Sequence, residues 1–329
     1  MKNIVNQVDV CIATYKRPDL LLSLLHSLVE QDLGLNLTMR VIVVDNDSEK
    51  SARDTVNKLK EEYPFPLFYF SETRQGISYA RNKALENTAA EYIAFLDDDE
   101  LAEKKWLKTL FDTLISSKSD VVFGPVIGLL PSYAPDWAKN HAAFQRPRLK
   151  TGSLVKYGAS GNVIFKANVL TEPPQKFDHS FGLTGGGDTE FFYRLHLAGK
   201  KLTWCDEAMV REDVPDNRLT LKWVFKRSFR GGQGYYRVFV TRFSTTKKYV
   251  WFFQKLTYLL GSLIFLPIVK LVKPKSYIKL KCKVLGFTGQ LSAVFGRRFY
   301  YQEYVDSQYS NNTLASEVKR QARNDIEMK

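Results

Sequence analysis

Short apolar runs and amphipathic segments alternate along the first half of the chain. Runs rich in β-branched and aromatic residues predict strands at 8–13, 40–45, 66–71, 91–96 and 120–127. Apolar residues at helical spacing predict helices at 20–30, 52–62, 77–85 and 106–115. Continuous apolar strands that alternate with such helices indicate a mostly parallel sheet covered on both faces. The predicted fold class is therefore α/β.

The pattern is looser after Pro131. Residues 132–150, rich in Pro, aromatic and basic residues, predict an irregular loop over the sheet, and strand character returns within 153–170. A glycine run at 185–187 precedes a predicted helix at 188–198, which Gly199 ends, and a strand at 201–205 follows.

Polar residues cluster where four of the predicted strands end. The clusters are Thr14 to Arg17, Asp45 to Ser48, Arg74 to Gly76, and Asp97 to Asp99. Each cluster has a structural explanation on its own, since Ser48 can cap a helix, Asp45 can form a turn and Gly76 can begin a helix. Parallel sheets bind ligands at the carboxyl ends of their strands, so the coincidence of four clusters favours a binding site on one rim.

Asp97, Asp98 and Asp99 follow an apolar strand with no basic residue between them. Two carboxylates ~5 Å apart repel by roughly 3 kcal/mol at an effective dielectric of about 20, so a neutralising cation is expected. Alternation in an extended turn would direct Asp97 and Asp99 to one side and Asp98 away. A divalent metal, Mg²⁺ or Mn²⁺, takes one or two carboxylates together with phosphate oxygens, which suits a diphosphate ligand.

The remaining clusters offer what a nucleotide needs. Asp45 can accept from a base or ribose, Arg74 can donate to a base carbonyl or phosphate, and Thr14 offers a hydroxyl group. The sequence has no Walker-type phosphate loop, and its glycine run does not follow the first strand. Handling of the phosphates by metal is the remaining interpretation.

Five segments in this order resemble the inverting nucleotide-sugar transferases of glycosyltransferase family 2. They are VDVCIATYKRPDLLLSLLHSL, VIVVDNDS, RQGISYARNKAL, AFLDDDE and GGGDTEFFYRLHLAGKKLTW, and the resemblance covers roughly residues 7–240. It implies a GT-A fold, which is Rossmann-like with a mostly parallel central sheet. It also implies an enzyme that takes a sugar from a nucleotide donor.

The resemblance assigns roles to matching positions. Asp45 matches the aspartate that reads the base, Asp47 matches a loop acid, and Arg81 lies in a motif that alternatively orients its helix. Asp99 is the implied metal ligand, with Asp97 as a second metal ligand, while Asp97 or Asp98 contacts the ribose or supports the site. The implied nucleotide-sugar contacts are Thr14, Tyr15, Arg17, Asp45, Asp47, Arg74, Arg81, Asp97 and Asp98.

Asp188 is the expected catalytic base. In an inverting displacement a carboxylate takes the proton from the acceptor hydroxyl as that oxygen attacks the anomeric carbon. The family has a Glu-Asp pair here, whereas this chain has Gly187 before Asp188, with Glu190 close by as a candidate for acceptor contact. The alternative is that Asp188 only stabilises the first turn of its helix.

Arg218, Trp223 and Arg227 resemble a basic element that follows the catalytic acid in parts of the family. They either close over the diphosphate or the acceptor, or form the polar face and core anchor of a helix. Glu212 and Asp213 are reserve candidates for metal binding or proton transfer.

Charge is distributed unevenly. Residues 218–300 contain 18 basic residues and no acidic one, so the rest of the chain carries −5 against an overall +13. Three widely separated cysteines leave one unpaired in any disulfide scheme and match no metal spacing, which indicates a reducing compartment. The N-terminus lacks a signal peptide pattern, so the protein is expected to stay on the cytoplasmic side.

The apolar segment 249–272 approaches the ~20 residues that cross a bilayer. Lys255, Lys270 and Pro267 within it favour a helix that lies at the membrane interface or dips into it. A second stretch, 279–298, mixes cationic and apolar residues in the same way. A buried core hairpin is the alternative, and nucleic-acid binding is not expected because no recognition module accompanies the charge.

These observations predict an inverting, metal-dependent glycosyltransferase. Its expected donor is a UDP-sugar and its expected acceptor a hydroxyl of a lipid-linked or cell-surface polysaccharide, at the cytoplasmic face of the cell's inner membrane. The predicted units are a catalytic domain (1–240), membrane-associating helices (241–305) that bind an anionic surface peripherally or monotopically, and a polar tail (306–329). The alternative of another class is a non-catalytic, membrane-bound nucleotide-sugar-binding scaffold.

Overall fold

The protein was analysed as a computed structural model, which describes residues 5–171 and 173–296. Four strands pair in parallel in the order β3-β2-β1-β4: β1 (Asn6–Thr14), β2 (Leu37–Asp45), β3 (Leu67–Ser71) and β4 (Tyr92–Asp97). The predicted polar tail, 306–329, lies outside the described residues.

The rest of the main sheet contains one reversed strand. Two further strands of the sheet, β6 (Val121–Phe123) and β9 (Leu202–Trp204), pair in parallel with each other. Strand β8 (Asn162–Lys166) runs antiparallel to both β4 and β6. The prediction of a mostly parallel sheet is therefore confirmed, while the predicted strand character of 153–170 is confined to β8.

The strand predicted at 120–127 was wrong as a single element. It divides into β6 and β7 (Val126–Leu129), and β7 belongs to a second sheet with β5 (Glu100–Ala102) and β10 (Val210–Asp213). The break falls at Gly124, where a Cβ atom would lie 2.3 Å from the Ala208 carbonyl oxygen, and at Pro125, which has no N–H for a ladder. The chain therefore changes sheets at this dipeptide.

Helices cover both faces of the main sheet, as predicted. They are α1 (Pro18–Val29), α2 (Arg53–Lys60), α3 (Ile77–Glu86), α4 (Trp106–Ser116), a short α5 (Asp136–Lys139) and α6 (Gly187–Leu197). On one face Leu24 and Leu28 of α1 pack with Leu110 of α4, and on the other Phe191 and Phe192 pack beneath the strands. The apolar spacing of each segment thus decided which of its faces the sheet buries.

Three helices follow: α7 (Leu221–Val238), α8 (Thr245–Val272) and α9 (Pro274–Ser292). The backbones of α7 and α9 are in contact at two glycines. A Cβ at Gly232 would lie 2.1 Å from the Gly286 oxygen, and one at Gly289 would lie 2.0 Å from the Phe229 oxygen. Helix α7 therefore joins the α/β unit to α8 and α9. The predicted boundary at residue 240 stays a prediction, and 297–305 lie outside the described residues.

One buried ion pair ties β1 to β2 at the end of the sheet opposite the polar rim. Asp9 is fully buried, and both of its carboxylate oxygens accept from Arg40 at 2.7 Å. Its Oδ2 also accepts from the backbone N–H groups of Ala89 and Ala90. Asp9 therefore fastens three segments of the chain.

Replacing Asp9 with Ala should lower the free energy of unfolding by about 3–5 kcal/mol, because Arg40 would be left as a largely buried charge without its partner. Urea unfolding would measure the loss. Asp112→Ala is the matched control, since Asp112 forms an exposed pair with Lys108 and its removal should cost about 0.5 kcal/mol or less. Equal losses in the two variants would contradict this role for Asp9.

Candidate active site

Strand register brings the polar clusters level on one rim. Thr14 pairs with Asp45 across β1 and β2, and Ala13 pairs with Asp97 across β1 and β4. Asp45 in turn lies opposite Ser71, the last residue of β3. The ends of four neighbouring parallel strands therefore meet in one place.

Asp98 points into the protein. Its Oδ2 accepts from the Thr14 hydroxyl at 2.8 Å, and its Oδ1 accepts from Arg17 at 3.2 Å. Burial raises the pKa of Asp98 to about 6, although the Arg17 charge acts in the opposite direction. Asp98 thus connects the ends of β1 and β4 and is not directed at the open rim.

Asp97 and Asp99 are each paired with arginines. Arg81 lies 3.1 Å from Asp97, whose side chain is 44% exposed and so remains accessible. Asp99 Oδ2 lies 3.2 Å from Arg17 and 3.6 Å from Arg218. The repulsion among the three aspartates is therefore offset by three arginines, and a bound cation is not needed to hold them together.

The rim carboxylates suit a cation that shares its ligands with a phosphate. Among residues 5–171 and 173–296, no group of three His, Cys, Asp or Glu side chains is arranged to hold a metal by itself. Mg²⁺ commonly takes one or two carboxylates and completes its shell with phosphate oxygens and water. Asp99 and Asp97 fit that mode of binding.

Glu100 supports this turn from below. Its carboxylate is buried and accepts the Asp97 backbone N–H at 2.9 Å, and burial raises its pKa well above the usual range. The backbone at Gly161 passes so close that a Cβ there would lie 2.4 Å from the Glu100 carboxylate and 2.9 Å from that of Asp97. Sequence reasoning did not assign Glu100, because adjacency to the aspartates alone did not show its direction.

The loop after β2 contains two aspartates with different surroundings. Asp45 is fully buried and accepts from the backbone N–H groups of Asp47 and Ala52 and from the Tyr69 hydroxyl, so it organises the loop. Asp47 is also buried, yet its Oδ2 has no hydrogen-bond partner among the described residues. Asp47 Oδ2 is therefore an unsatisfied buried acceptor within this rim loop.

Asn46 links this loop to the third cluster, a role that sequence reasoning missed. Its amide nitrogen donates to the carbonyl oxygens of Glu72 and Arg74, and its Oδ1 accepts from the Gly76 N–H at 2.9 Å. Glu72 holds the Arg74 side chain at 2.7 Å, and the hydrogen bond from Arg74 lowers the pKa of Glu72. Arg74 is consequently held at the rim with its guanidinium 4.8 Å from the Tyr79 ring centre.

Tyr15 and Lys16 occupy the turn between β1 and α1. Lys16 lies 3.9 Å from Asp47 and 5.6 Å from the centre of the Tyr15 ring. The turn that carries Tyr15 and Arg17 is thereby held next to both the Asp47 loop and the aspartate turn. Residues from the first, second and fourth clusters adjoin one another, as expected of a single site.

Asp188 lies in the first turn of α6, after Gly186 in the left-handed conformation (φ 85°). Its Oδ1 accepts from the Thr189 N–H at 2.7 Å. A Cβ at position 187 meets Phe181 Cβ at 3.2 Å and Ser78 Oγ at 3.4 Å, so a larger side chain is crowded there.

Glu190 is not part of the open site, which corrects the expectation that it contacts the acceptor. It lies about 200° around α6 from Asp188, is buried, and is held by Arg194 at 2.9 Å and Arg242 at 2.6 Å. The Arg242 contact holds α6 against the turn that follows α7, while Arg194 lies on α6 itself. Its acidic character is therefore used in packing.

Arginines from α7 and the preceding turn complete the rim. Arg218 and Arg227 lie 6.0 and 5.2 Å from the Trp223 ring, which itself stacks on Phe144. Burial lowers the pKa of Arg227, with Arg146 adding to the shift and Glu212 and Asp188 opposing it. Trp223 thus anchors α7, while Arg218 reaches Asp99.

Glu212 belongs to the same charged group. It is held by Arg146 at 3.1 Å, and burial raises its pKa. It also lies opposite Glu100 in the pairing of β10 with β5. The reserve candidate Glu212 therefore borders the site, whereas Asp213 is exposed at the end of β10.

Arg237 holds the loop that precedes Asp188. It donates to the Ser180 carbonyl oxygen at 2.9 Å and to the Thr184 hydroxyl, and its guanidinium lies 3.8 Å from the centre of the Phe181 ring. Nothing in the sequence indicated this contact. Arg237 is one of several basic residues along α7, and it is separated from Thr184 by 53 positions in the sequence. Only tertiary packing joins them.

The fold and this rim define an α/β protein with a candidate site for a phosphorylated, nucleotide-like ligand. The family profile described as Glycosyl transferase family 2 matches residues 9–171. The succinoglycan biosynthesis protein ExoM of Rhizobium meliloti is 35% identical over 238 residues, covering 72% of this chain and 77% of ExoM. The chain belongs to glycosyltransferase family 2 and is a glycosyltransferase.

Other relatives agree with this assignment. The glycosyltransferase AglE of Haloferax volcanii is 24% identical over 234 residues, covering 71% of this chain and 74% of AglE. The structures of S. aureus TarS 1–349 in complex with UDP and with UDP-GlcNAc each have a TM-score of 0.54, with 18% and 16% identity. Each covers 88% of this chain and 92% of the TarS chain, and this likeness confirms the predicted GT-A fold.

Proposed function

We propose that this glycosyltransferase transfers a sugar, with inversion, from a UDP-sugar to an acceptor hydroxyl in a metal-dependent reaction. The observation that carries the proposal is the convergence of Asp99 with Arg17 and Arg218 at the ends of β1 and β4. Carboxylates beside arginines at this rim can serve a diphosphate and its counter-ion together. As in the sequence analysis, the first clusters are assigned to the nucleotide, Asp97 and Asp99 to the metal, and Asp188 to the base.

The donor's nucleotide part is assigned to the first and second clusters. The buried Asp47 Oδ2 without a partner is available to a base N–H or a ribose hydroxyl, and Thr14, Tyr15 and Arg74 border the same loops. Asp45 supports this role through its backbone hydrogen bonds and does not require direct contact with the base. A UDP donor is supported by the fold shared with TarS, whose structures contain UDP and UDP-GlcNAc.

The rim suits departure of a diphosphate. A Mg²⁺ or Mn²⁺ ion held by Asp99 and Asp97 would supply positive charge that stabilises the leaving diphosphate. Arg17, Arg81 and Arg218 pair with those carboxylates and hold them in place, and Arg227 adds a buried positive charge nearby. These side chains therefore favour charge build-up on the departing group.

Asp188 is proposed as the base that takes the acceptor's proton. It begins α6 on the side of the rim that contains Arg227, and Arg237 holds its loop in place. Since Gly187 and Glu190 offer no second accessible carboxylate, Asp188 is the acid of this segment available to the acceptor hydroxyl. As Asp188 takes the proton, the acceptor oxygen bonds to the anomeric carbon on the face opposite the departing diphosphate, and this single displacement gives inversion.

The proposed acceptor is a hydroxyl of a lipid-linked or cell-surface polysaccharide, at the cytoplasmic face of the inner membrane. The name of ExoM, a succinoglycan biosynthesis protein, supports an acceptor of this class. Membership of an enzyme family disfavours the alternative of a non-catalytic scaffold. The charged rim, with its proposed base, is a second reason to prefer an enzyme over a scaffold.

Nucleotide binding tests this proposal before any acceptor is identified. We expect UDP with Mn²⁺ or Mg²⁺ to raise the melting temperature, since UDP at 100 times its Kd stabilises the folded state by about 2.7 kcal/mol. Differential scanning fluorimetry with UDP, GDP and dTDP, each with metal or with EDTA, would measure the shift. Stabilisation that is identical with EDTA, or absent with every nucleotide, would refute the metal-dependent donor site.

A further inference from the structure

Helix α8 is long and apolar, yet little of it is covered. Thr245–Val272 contains 28 residues, its most apolar window has a mean hydropathy of 1.7, and none of that window is buried. A helix of a soluble core with this composition would be covered by other elements. Trp251, which is 6% exposed, is the one buried residue of α8.

The uncovered side of α8 forms an uncharged stripe. Its exposed residues recur at spacings of three and four: Val250, Phe253, Thr257, Leu260, Ile264, Ile268 and Leu271. They extend over about 32 Å along one face. Lys255 lies on the other face, near Phe287 of α9, and Lys270 lies near Tyr277 of the same helix. The lysines of α8 therefore flank the stripe and leave it apolar.

The contacts of α9 argue against a crossing orientation of α8. The two helices run antiparallel, with Tyr258 packed near Phe287, and α9 contacts α7 through the backbone at Gly286 and Gly289. Helix α9 carries exposed Lys279 and Lys283, while Lys281 lies over the Phe225 ring of α7. A crossing orientation would place these lysines, and part of the catalytic fold, within the hydrocarbon.

We propose that the α8–α9 hairpin binds an anionic membrane surface with α8 lying in the plane of the interface. The apolar stripe enters the boundary between headgroups and acyl chains, and the lysines along its margins reach lipid phosphates. Residues 245–292 contain nine lysines and no acid, which gives the charge complementarity that such a surface requires. Because α7 contacts both α9 and the rim, the active site is held at a constant orientation to the lipid.

This inference specifies the partner and orientation of the membrane-associated enzyme in the proposed function. The experiment described next measures binding to lipid vesicles and does not measure sugar transfer. A failed nucleotide or transfer assay with intact vesicle binding would refute only the proposed chemistry. Failed vesicle binding with intact UDP binding would refute only the membrane surface.

The purified full-length protein would be sedimented with phosphatidylcholine vesicles that contain or lack phosphatidylglycerol. We expect the wild type to bind the anionic vesicles. The Leu260→Glu, Ile264→Glu double variant should bind them at least about tenfold more weakly. Leu35→Glu is the matched control, since Leu35 is 87% exposed but lies in the loop before β2. A cooperative urea unfolding transition like that of the wild type shows that each variant is folded.

Depth measurements separate a helix in the interface from one that crosses. A fluorophore on Leu260→Cys, in a Cys282→Ser background, lies near the middle of α8. We expect nitroxides near the lipid headgroups to quench it more strongly than nitroxides near the chain ends. Stronger quenching by the deep nitroxides would show a spanning helix and overturn the proposed orientation.

The remaining outcomes also decide the proposal. Absence of vesicle binding, or equal binding by the double variant and the wild type, would overturn it. Concentration-dependent self-association that the double variant abolishes, without vesicle binding, would assign the stripe to a second copy of the chain. Analytical ultracentrifugation of both proteins would detect that result.

Discussion

Asp99→Ala should reduce donor turnover by about a thousandfold or more. Asp99 is the rim carboxylate shared by Arg17 and Arg218, and its loss would remove the proposed metal ligand together with several kcal/mol of transition-state charge stabilisation. UDP release from the donor, measured over a Mn²⁺ titration, would quantify the effect. We also expect the Mn²⁺-dependent part of the UDP thermal shift to disappear.

Asp98→Asn is the informative companion to this variant. Asp98 is buried against Thr14 and is not directed at the open rim, and Asn keeps its shape and an oxygen that can accept from Thr14. A much smaller loss of turnover is therefore expected, with the Mn²⁺ dependence retained. Full activity of Asp99→Ala, or loss of metal dependence in Asp98→Asn alone, would move the metal ligand to another carboxylate.

Asp188→Asn should retain binding of UDP and metal while transfer falls by about a thousandfold. The amide keeps the shape and the Thr189 contact position but cannot accept the acceptor's proton, and general-base catalysis contributes typically 10²–10⁴-fold. The loss should appear in kcat and not in donor Kd. Single-turnover transfer to a membrane extract containing the acceptor, with radiolabelled donor, would measure it.

Glu190→Gln provides the matched control two residues away. It weakens the pairs with Arg194 and Arg242, so we expect a lower melting temperature with transfer by the folded enzyme within about tenfold of wild type. The contrast separates a carboxylate used in chemistry from one used in packing. Normal transfer by Asp188→Asn would show that another group removes the proton.

The strongly periodic elements were predictable from local pattern. Helices α1, α3, α4 and α6 begin and end within a few residues of their predicted positions, because one side of each is apolar at helical spacing. Residues 120–127 failed as one strand because an apolar run shows burial but not which sheet receives it. The change of sheet depends on the close approach of Ala208 and Asn162 to Gly124, which local pattern does not contain.

The candidate site was predictable to the level of residue type and rim. Parallel strand order places Thr14, Asp45 and Asp97 level once the sheet forms, so their convergence followed from the alternation of elements. Their individual roles did not follow. Both carboxylate oxygens of Asp45 and of Asp98 bind protein groups, whereas Asp47 Oδ2 has no partner among the described residues and the Asp97 side chain is exposed.

The sequence by itself determined the α/β class, the family, the acidic rim and the presence of a basic, apolar appendage, because these depend on periodicity, motif order and composition. Tertiary structure alone decided that arginines offset the three aspartates, that Glu190 is a packing residue, and that Arg237 holds the Asp188 loop. It also showed that α9 fixes α8 along its length. These outcomes depend on which distant side chains fill the space around a charge, and that is settled only when the elements pack.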